Sequence, residues 1–469
     1  MRTVSWCLLA LALASCGEVV KSNPDAPAAL PPSLTSIDPP RGTVSTMLTI
    51  TGENFGDAQD DSTITVGGTA ATVQSWSDTA IVAAIPDLFP GDEPVVVTTG
   101  GGSTDPETVR VILPPRVYLD NGIDTATPGD GFGSITIMAF DPTTGALSEL
   151  GVVSTKVRSQ GFAGCVTSVV VHEQTRRLFV GGREGIAVFA IDPVTGMLTH
   201  VPGSPSAASV GGGGIDIDAA GSRLWRADLA GTMAVFDIGS GGMATQVTGS
   251  PFAVSPAPDV LAASRDGTFV YANAEDTNLD VFHGYSVTAN GALTPLPGSP
   301  FAKGEFSFSI SRRAAHDQLY IAISPIGGGP AKSLQVWQPA PGTGVPAQIP
   351  GSPFPFTVAA GTPHFVTFTP DGNRAYIGVR SGASVIVMNL AANGAPTPIT
   401  GSPFVFTGAV TNFSCMQVSR DGGYLIANDE GGKDIGVFSL AADGTPTQVP
   451  GSPFAITTQD DSSGLAITF

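Results

Sequence analysis

Along nearly the whole chain the apolar positions come in short alternating runs rich in Val, Ile, Thr and Phe, broken by Gly, Pro, Asp and Asn. Alternation with a period of two sends successive side chains to opposite faces of a pleated strand, and the breakers are the residues that turns require. No stretch has the spacing of a long amphipathic helix. The pattern predicts an all-β chain full of turns.

From residue 114 onward the runs group into modules of four. An innermost run opens each module, at 166–171, 215–218, 260–264, 306–311, 365–369 and 416–419. A tight turn follows, in three modules Asp266-Gly267, Asp371-Gly372 and Asp421-Gly422, which is hairpin chemistry. The second run carries one aromatic per module: Tyr118, Phe179, Trp225, Tyr271, Tyr320, Tyr376 and, shifted along the same face, Tyr424. The third run, at 135–140, 186–191, 233–238, 280–285, 334–338, 385–390 and 435–440, turns into a fourth that ends in a phrase, Pro-Gly-Ser-Pro-Phe, recurring with small variations. Its glycines are Gly203, Gly249, Gly298, Gly351, Gly401 and Gly451, separated by 46, 49, 53, 50 and 50 residues, the period of a four-stranded propeller blade. Proline fixes φ, glycine permits the turn and phenylalanine packs between blades, so the phrase reads as architecture.

The second, third and fourth runs occur seven times, but the first module starts at its second run, Arg116-Val117-Tyr118, and lacks an innermost one. The final apolar run, Gly464-Leu465-Ala466-Ile467-Thr468-Phe469, has the character to fill that place. Residues 114–469 are therefore expected to form a seven-bladed β-propeller closed by the C-terminal strand, which removes an exposed edge.

Residues 34–113 form a separate unit, with runs at 47–51, 63–66, 70–76, 80–85, 95–98 and 108–112 that predict a small Ig-like β-sandwich. Ser36-Ile37-Asp38-Pro39-Pro40-Arg41-Gly42, Leu48-Thr49-Ile50-Thr51-Gly52-Glu53-Asn54-Phe55-Gly56, Val66-Gly67-Gly68 and Pro86 resemble the IPT/TIG immunoglobulin-like domain. The resemblance implies a spacer or a module that contacts carbohydrate or protein, and carries over no catalytic residue.

Ahead of it, Arg2, an apolar stretch over 4–13 and Leu13-Ala14-Ser15-Cys16 make a targeting segment too short to span a bilayer. Those last four residues resemble the lipobox of bacterial lipoproteins. That implies a signal peptide over 1–15, diacylglycerol on the Cys16 thiol and, with Gly17 following, an outer membrane-anchored lipoprotein facing the periplasm or the cell surface. Residues 16–33, rich in Pro, Ala, Ser and Asn, are read as a flexible tether.

The charge balance, 21 Lys+Arg against 40 Asp+Glu, excludes an electrostatic grip on nucleic acid. Phosphate-binding, zinc-spaced and nucleophile-elbow motifs are missing, and the carboxylates of Asn273-Ala274-Glu275-Asp276 and Asn428-Asp429-Glu430-Gly431 lack EF-hand spacing, so no metal and no cofactor are expected. Cys165 and Cys415 fall on innermost strands of blades two and seven, with blade one between them. A disulfide needs Cα atoms within about 7 Å, so two buried thiols are expected unless a loop folds over the channel mouth.

Short turns share one face of a propeller and the long connections share the other, where variable loops carry sites. The stretch Gly361-Thr362-Pro363-His364-Phe365-Val366-Thr367-Phe368-Thr369-Pro370-Asp371-Gly372-Asn373-Arg374-Ala375-Tyr376-Ile377, which leaves that face, resembles the repeat of the lactonase-type seven-bladed propellers, relatives of 6-phosphogluconolactonase and the muconate lactonising enzyme. The family's Gly-Pro-Arg-His is Gly-Thr-Pro-His here, keeping the histidine and losing the arginine. The resemblance implies a lactonase fold with His364 as the kept histidine; opening a lactone needs a group to activate water and donors to hold the developing carboxylate, roles read onto His364 as base, Arg380 or Arg183 as clamp, and Glu275 or Glu430 as orienting carboxylates. His172, His200, His283 and His316 are assigned no role. The leading reading is a lipid-anchored, monomeric envelope protein whose propeller binds a glycan, protein or small molecule. Hydrolysis of a sugar or related lactone at the same face is the alternative.

Overall fold

A computed structural model of the 469-residue chain describes residues 29–122, 131–158, 168–207, 213–228, 230–254, 257–274, 281–313, 316–324, 332–358, 361–406, 413–429, 434–457 and 464–469. The signal segment, Cys16 and most of the tether lie outside the described residues. Among those described, all regular structure is strand apart from one short 3-10 turn, Glu173–Thr175.

The first unit is a pair of facing sheets. One orders Ser33–Asp38, Met47–Glu53, Ala80–Ala84 and Thr72–Trp76; the other orders Arg41–Gly42, Glu107–Val111, Gly91–Thr99, Thr63–Val66 and Thr69–Ala70. In Met47–Glu53 the strand period turns Leu48 and Ile50 inward, where they join Phe55, Val66, Ile81, Val97 and Val109 in a buried core. The opening strand Ser33–Asp38 was not among the sequence-derived runs: it is polar, flanked by proline, and held by its ladder with Met47–Glu53.

Seven further sheets follow in chain order, each running from inner to outer strand. The first is built from Arg116–Asp120, Ser134–Phe140 and Leu147–Ser154. Its innermost place is taken by Gly464–Ile467, antiparallel to Arg116–Asp120 with Val117 opposite Ile467 and Leu119 opposite Leu465. The cores lie between sheets. Val117, Leu119 and Met138 of blade one, for example, pack with Ile426, Ile435 and Val437 of blade seven.

Blade five departs from the alternation. An innermost strand over 306–311 was expected, yet regular pairing covers only Ser311–Arg313, preceded by a single bridge between Ser307 and Ile323. The segment bonds to neighbours instead: the Ser307 carbonyl accepts from Asn273 Nδ2 at 3.1 Å, and the Ser309 side-chain Oγ donates to the His364 carbonyl at 2.7 Å.

The sandwich meets the propeller on its short-turn face. Arg176 closes the 3-10 turn in a left-handed conformation (φ 51°), and its guanidinium bonds Asp87 at 2.6 Å and the Leu88 carbonyl while lying 4.7 Å over the Phe89 ring. Beside it, Arg420 in the first turn of blade seven pairs with Glu173 at 2.9 Å.

Candidate functional site

The long connections leave the second strands and enter the next innermost strands at the face opposite the sandwich. Polar side chains are buried at these strand ends: Asp120, Asn121, Asp228, Asn273, Asn428 and Asp429 where second strands finish, and Asp259 and His364 where innermost strands begin. Burying such groups is costly unless they are paired, so their recurrence on one rim marks a built polar surface.

His364 sits where the ladder of blade six shifts register, between Pro363 and Val366. A bulge of this kind re-aims side chains, and equivalent shifts fall between Pro258 and Val260 in blade four and between Phe413 and Met416 in blade seven. His364 is 1% exposed, and its ring lies 4.2 Å from that of Phe308. Arg380 ends the neighbouring strand opposite Thr362, so the fold brings His364 and Arg380 into one corner of blade six. Lys332 joins that corner, its Nζ donating to the Gly361 carbonyl, and burial holds its ammonium below the usual lysine range. Lys332 had no motif to announce it: it lies some thirty residues before His364, in a Gly- and Pro-rich connection.

Arg183 lies across the ring in blade two, where its backbone N–H donates to the Arg158 carbonyl at 2.9 Å. The same turn forms a charged cluster that sequence reasoning missed. Arg158 bonds Glu184 through its backbone at 2.6 Å and its Nε at 2.5 Å. Arg226, fully buried in blade three, has its pKa lowered by burial to about 10, an effect partly offset by the Asp228 and Glu184 carboxylates. A third cluster joins blades four and five: Lys303 Nζ donates to Asn273 Oδ1 at 2.8 Å and to Ser307 Oγ at 2.7 Å. No motif marks these residues in the sequence; packing between blades brings them together. Glu275 and Glu430 lie outside the described residues.

Cys415 is disulfide-bonded, which corrects the expectation of a buried free thiol there. Cys165 lies outside the described residues. Among the described residues no group of three or more His, Cys, Asp or Glu side chains is placed to hold a metal ion. Deeper in the channel a cavity of about 220 Å³ is lined in part by Asp216, Arg312, Phe365 and Gln417. Burial raises the pKa of Asp216, with Arg312 opposing, and its Oδ2 accepts the Ala263 N–H at 2.7 Å.

Fold and rim together define a two-part protein: an immunoglobulin-like module carrying a seven-bladed β-propeller with a polar long-loop face. Residues 32–111 match the IPT/TIG domain. A cyclomaltodextrin glucanotransferase from Geobacillus stearothermophilus is 38% identical over 102 residues, 21% of this chain and 14% of that enzyme, so the chain spans only a small part of that relative. Among solved structures, the periplasmic gluconolactonase of Pseudomonas aeruginosa superposes with a TM-score of 0.57 at 17% identity, over 76% of this chain and 99% of its own. A protein from Lactobacillus plantarum gives 0.56 at 15%, over 76% and 99%. Likenesses at such identities establish the fold alone.

Proposed function

We propose that the protein is a monomeric, lipid-anchored envelope protein whose propeller binds a polyhydroxylated ligand, a glycan or sugar acid, at its long-loop face. The observation that carries this reading is the rim itself, where amide, carboxylate, ammonium and guanidinium groups recur from blade to blade while the opposite face meets the sandwich. Such a ring offers donors and acceptors in turn, which is how hydroxyl-rich ligands are held. The Cys16 lipid would anchor the chain, since each buried methylene contributes about 0.8 kcal/mol. Palmitate incorporation that persists in Cys16→Ser would sink the anchor. Binding is tested on a glycan array and by titration with aldonic and uronic acids; blank results from both would remove this reading.

Lactone hydrolysis is the second reading, supported by a lactonase-like fold in which Arg380 pairs with Thr362, two residues from His364, and Lys332 bonds the nearby Gly361 carbonyl. There His364 would take the proton from water and Arg380 or Lys332 would hold the oxyanion. The expected result is turnover of a sugar lactone that falls at least about a hundredfold in His364→Ala, the usual scale of one general base. Turnover unchanged by that substitution, or none across a panel of lactones, rejects it.

A further inference from the structure

The propeller and the sandwich enclose a cavity of about 430 Å³ between them, on the face away from the long loops. Three arginines line it, Arg41 and Arg110 from the sandwich and Arg420 from blade seven, together with two carboxylates, Glu173 and Asp421, and with Ile112 and Phe469 as apolar flanks. Arg41 and Arg110 are direct partners in the parallel pairing of Arg41–Gly42 with Glu107–Val111. Residues opposite one another on adjacent strands share a sheet face, and like charges placed so repel. Arg110 pairs with the exposed carboxylate of Asp92 at 3.1 Å and also acts on Glu173, which Arg420 holds at 2.9 Å. Arg41 makes no ion pair among the described residues. In a chain with 40 acidic residues against 21 basic ones, two adjoining arginines facing a shared cavity are an arrangement that a bound anion would relieve.

We infer that this junction is a binding site for a small oxyanion, the carboxylate or phosphate group of a compact molecule. Arg41 and Arg420 offer planar forks that match either group in two parallel hydrogen bonds, and Ile112 and Phe469 receive the apolar body behind it. Both domains supply ligands, so the anion binds the docked arrangement and stabilises it by mass action. This site is separate from the long-loop face and does not depend on the function proposed for that face.

The test is calorimetric titration of the full-length chain with inorganic phosphate and, separately, with benzoate, at low and high salt. One saturable site is expected, weakened by salt, with affinity at least tenfold lower in Arg41→Gln and in Arg420→Gln. Tighter binding of benzoate identifies a carboxylate with an apolar body, and tighter binding of phosphate identifies a phosphoryl group; each supports the site. Because Arg420→Gln also breaks the pair with Glu173, its melting transition is compared without ligand, and Arg41→Gln carries the decision. No saturable heat with either probe, or binding unchanged in Arg41→Gln, overturns the inference.

Discussion

The aromatic in each second strand is a tie between blades. Tyr118, Tyr271, Tyr320 and Tyr376 donate their hydroxyls to the carbonyls of Gly196, Gly344, Gly394 and Gly444 in the following blade, at 2.7, 2.6, 2.9 and 3.1 Å. Tyr424 of blade seven reaches the Pro142 carbonyl of blade one at 3.1 Å. Phe179 and Trp225 cannot make this bond with a hydroxyl, and arginines cross there instead, Arg177 to Gly241 and Arg223 to Thr288 and Ala289. Tyr376→Phe removes one buried bond and leaves the Gly444 carbonyl unmet, so a loss of about 1 kcal/mol in urea unfolding is expected. All six tyrosines have raised pKa values, burial being the first cause, with Tyr285, Tyr320 and Tyr376 pushed up to about 12. An unfolded tyrosine ionises near 10. The stability these groups contribute is thus complete below about pH 10 and is lost as pH rises toward 12. Tyrosinate absorbance should appear together with loss of β-sheet signal; a titration near pH 10 in protein that stays folded would contradict the ladder. One aromatic per module was legible in the sequence. The destination of its hydroxyl was not, because the acceptor is a backbone atom in another module.

At the level of the element, the recurring phrase is a turn that splits the outer strand in two. In each copy the serine N–H closes a four-residue turn onto the residue three positions earlier, around a glycine with φ between 85° and 90°, the geometry that type II turns reserve for glycine. The serine Oγ then accepts the backbone N–H of the third strand, from Val188, Val235, Gly284, Val336, Val387 and Val437, at 2.8 to 3.2 Å. In five copies the phenylalanine, and in blade two Ser206, restarts pairing as a two-residue strand, as Phe252–Ala253 does with Thr232–Ile238. Blade one has no copy of the phrase, and its outer strand, Leu147–Ser154, has no such break. The period, the glycine and the proline could be read in the sequence; the role of the serine could not, since its partner lies fifteen or sixteen residues back. Ser452→Ala should therefore cost about 1–2 kcal/mol by stranding the Val437 amide, more than Ser→Ala at an exposed turn. Equal stability of the two variants in chemical denaturation would show that water replaces the hydroxyl.

For the whole molecule, the two ends of the sandwich have different duties. The chain enters it at the end where Asn54 Nδ2 holds the Pro31 carbonyl and Gly101 packs on Leu30, and the propeller joins at the other end, around Arg41, Asp87 and Arg110. The long-loop face of the propeller is the one turned away from the sandwich. That face was only partly legible in advance. His364 and Arg380 were found because one repeat resembles a known family, whereas Lys332, Arg226 and Lys303 acquire their positions from packing between blades. The ring itself rests on residues 464–469, which bind the first blade to the last. Gly464–Ile467 fills the inner place of blade one, Thr468 Oγ1 donates to the Pro114 carbonyl at 2.6 Å and accepts the Arg116 N–H at 3.0 Å, and the Phe469 carbonyl accepts the Arg420 N–H at 2.6 Å. The Phe469 ring stacks on Phe140 at 3.9 Å. Deleting these six residues uncovers the edge of Arg116–Asp120 together with the apolar surface of Leu465 and Phe469, each side chain contributing roughly 1.5–3 kcal/mol. Against a total stability of about 5–15 kcal/mol, that loss is expected to abolish the cooperative melting transition of the propeller in calorimetry while the sandwich transition, whose core shares no residue with this strand, persists. A truncated chain whose propeller melts as before would show that the ring holds without its C-terminal strand.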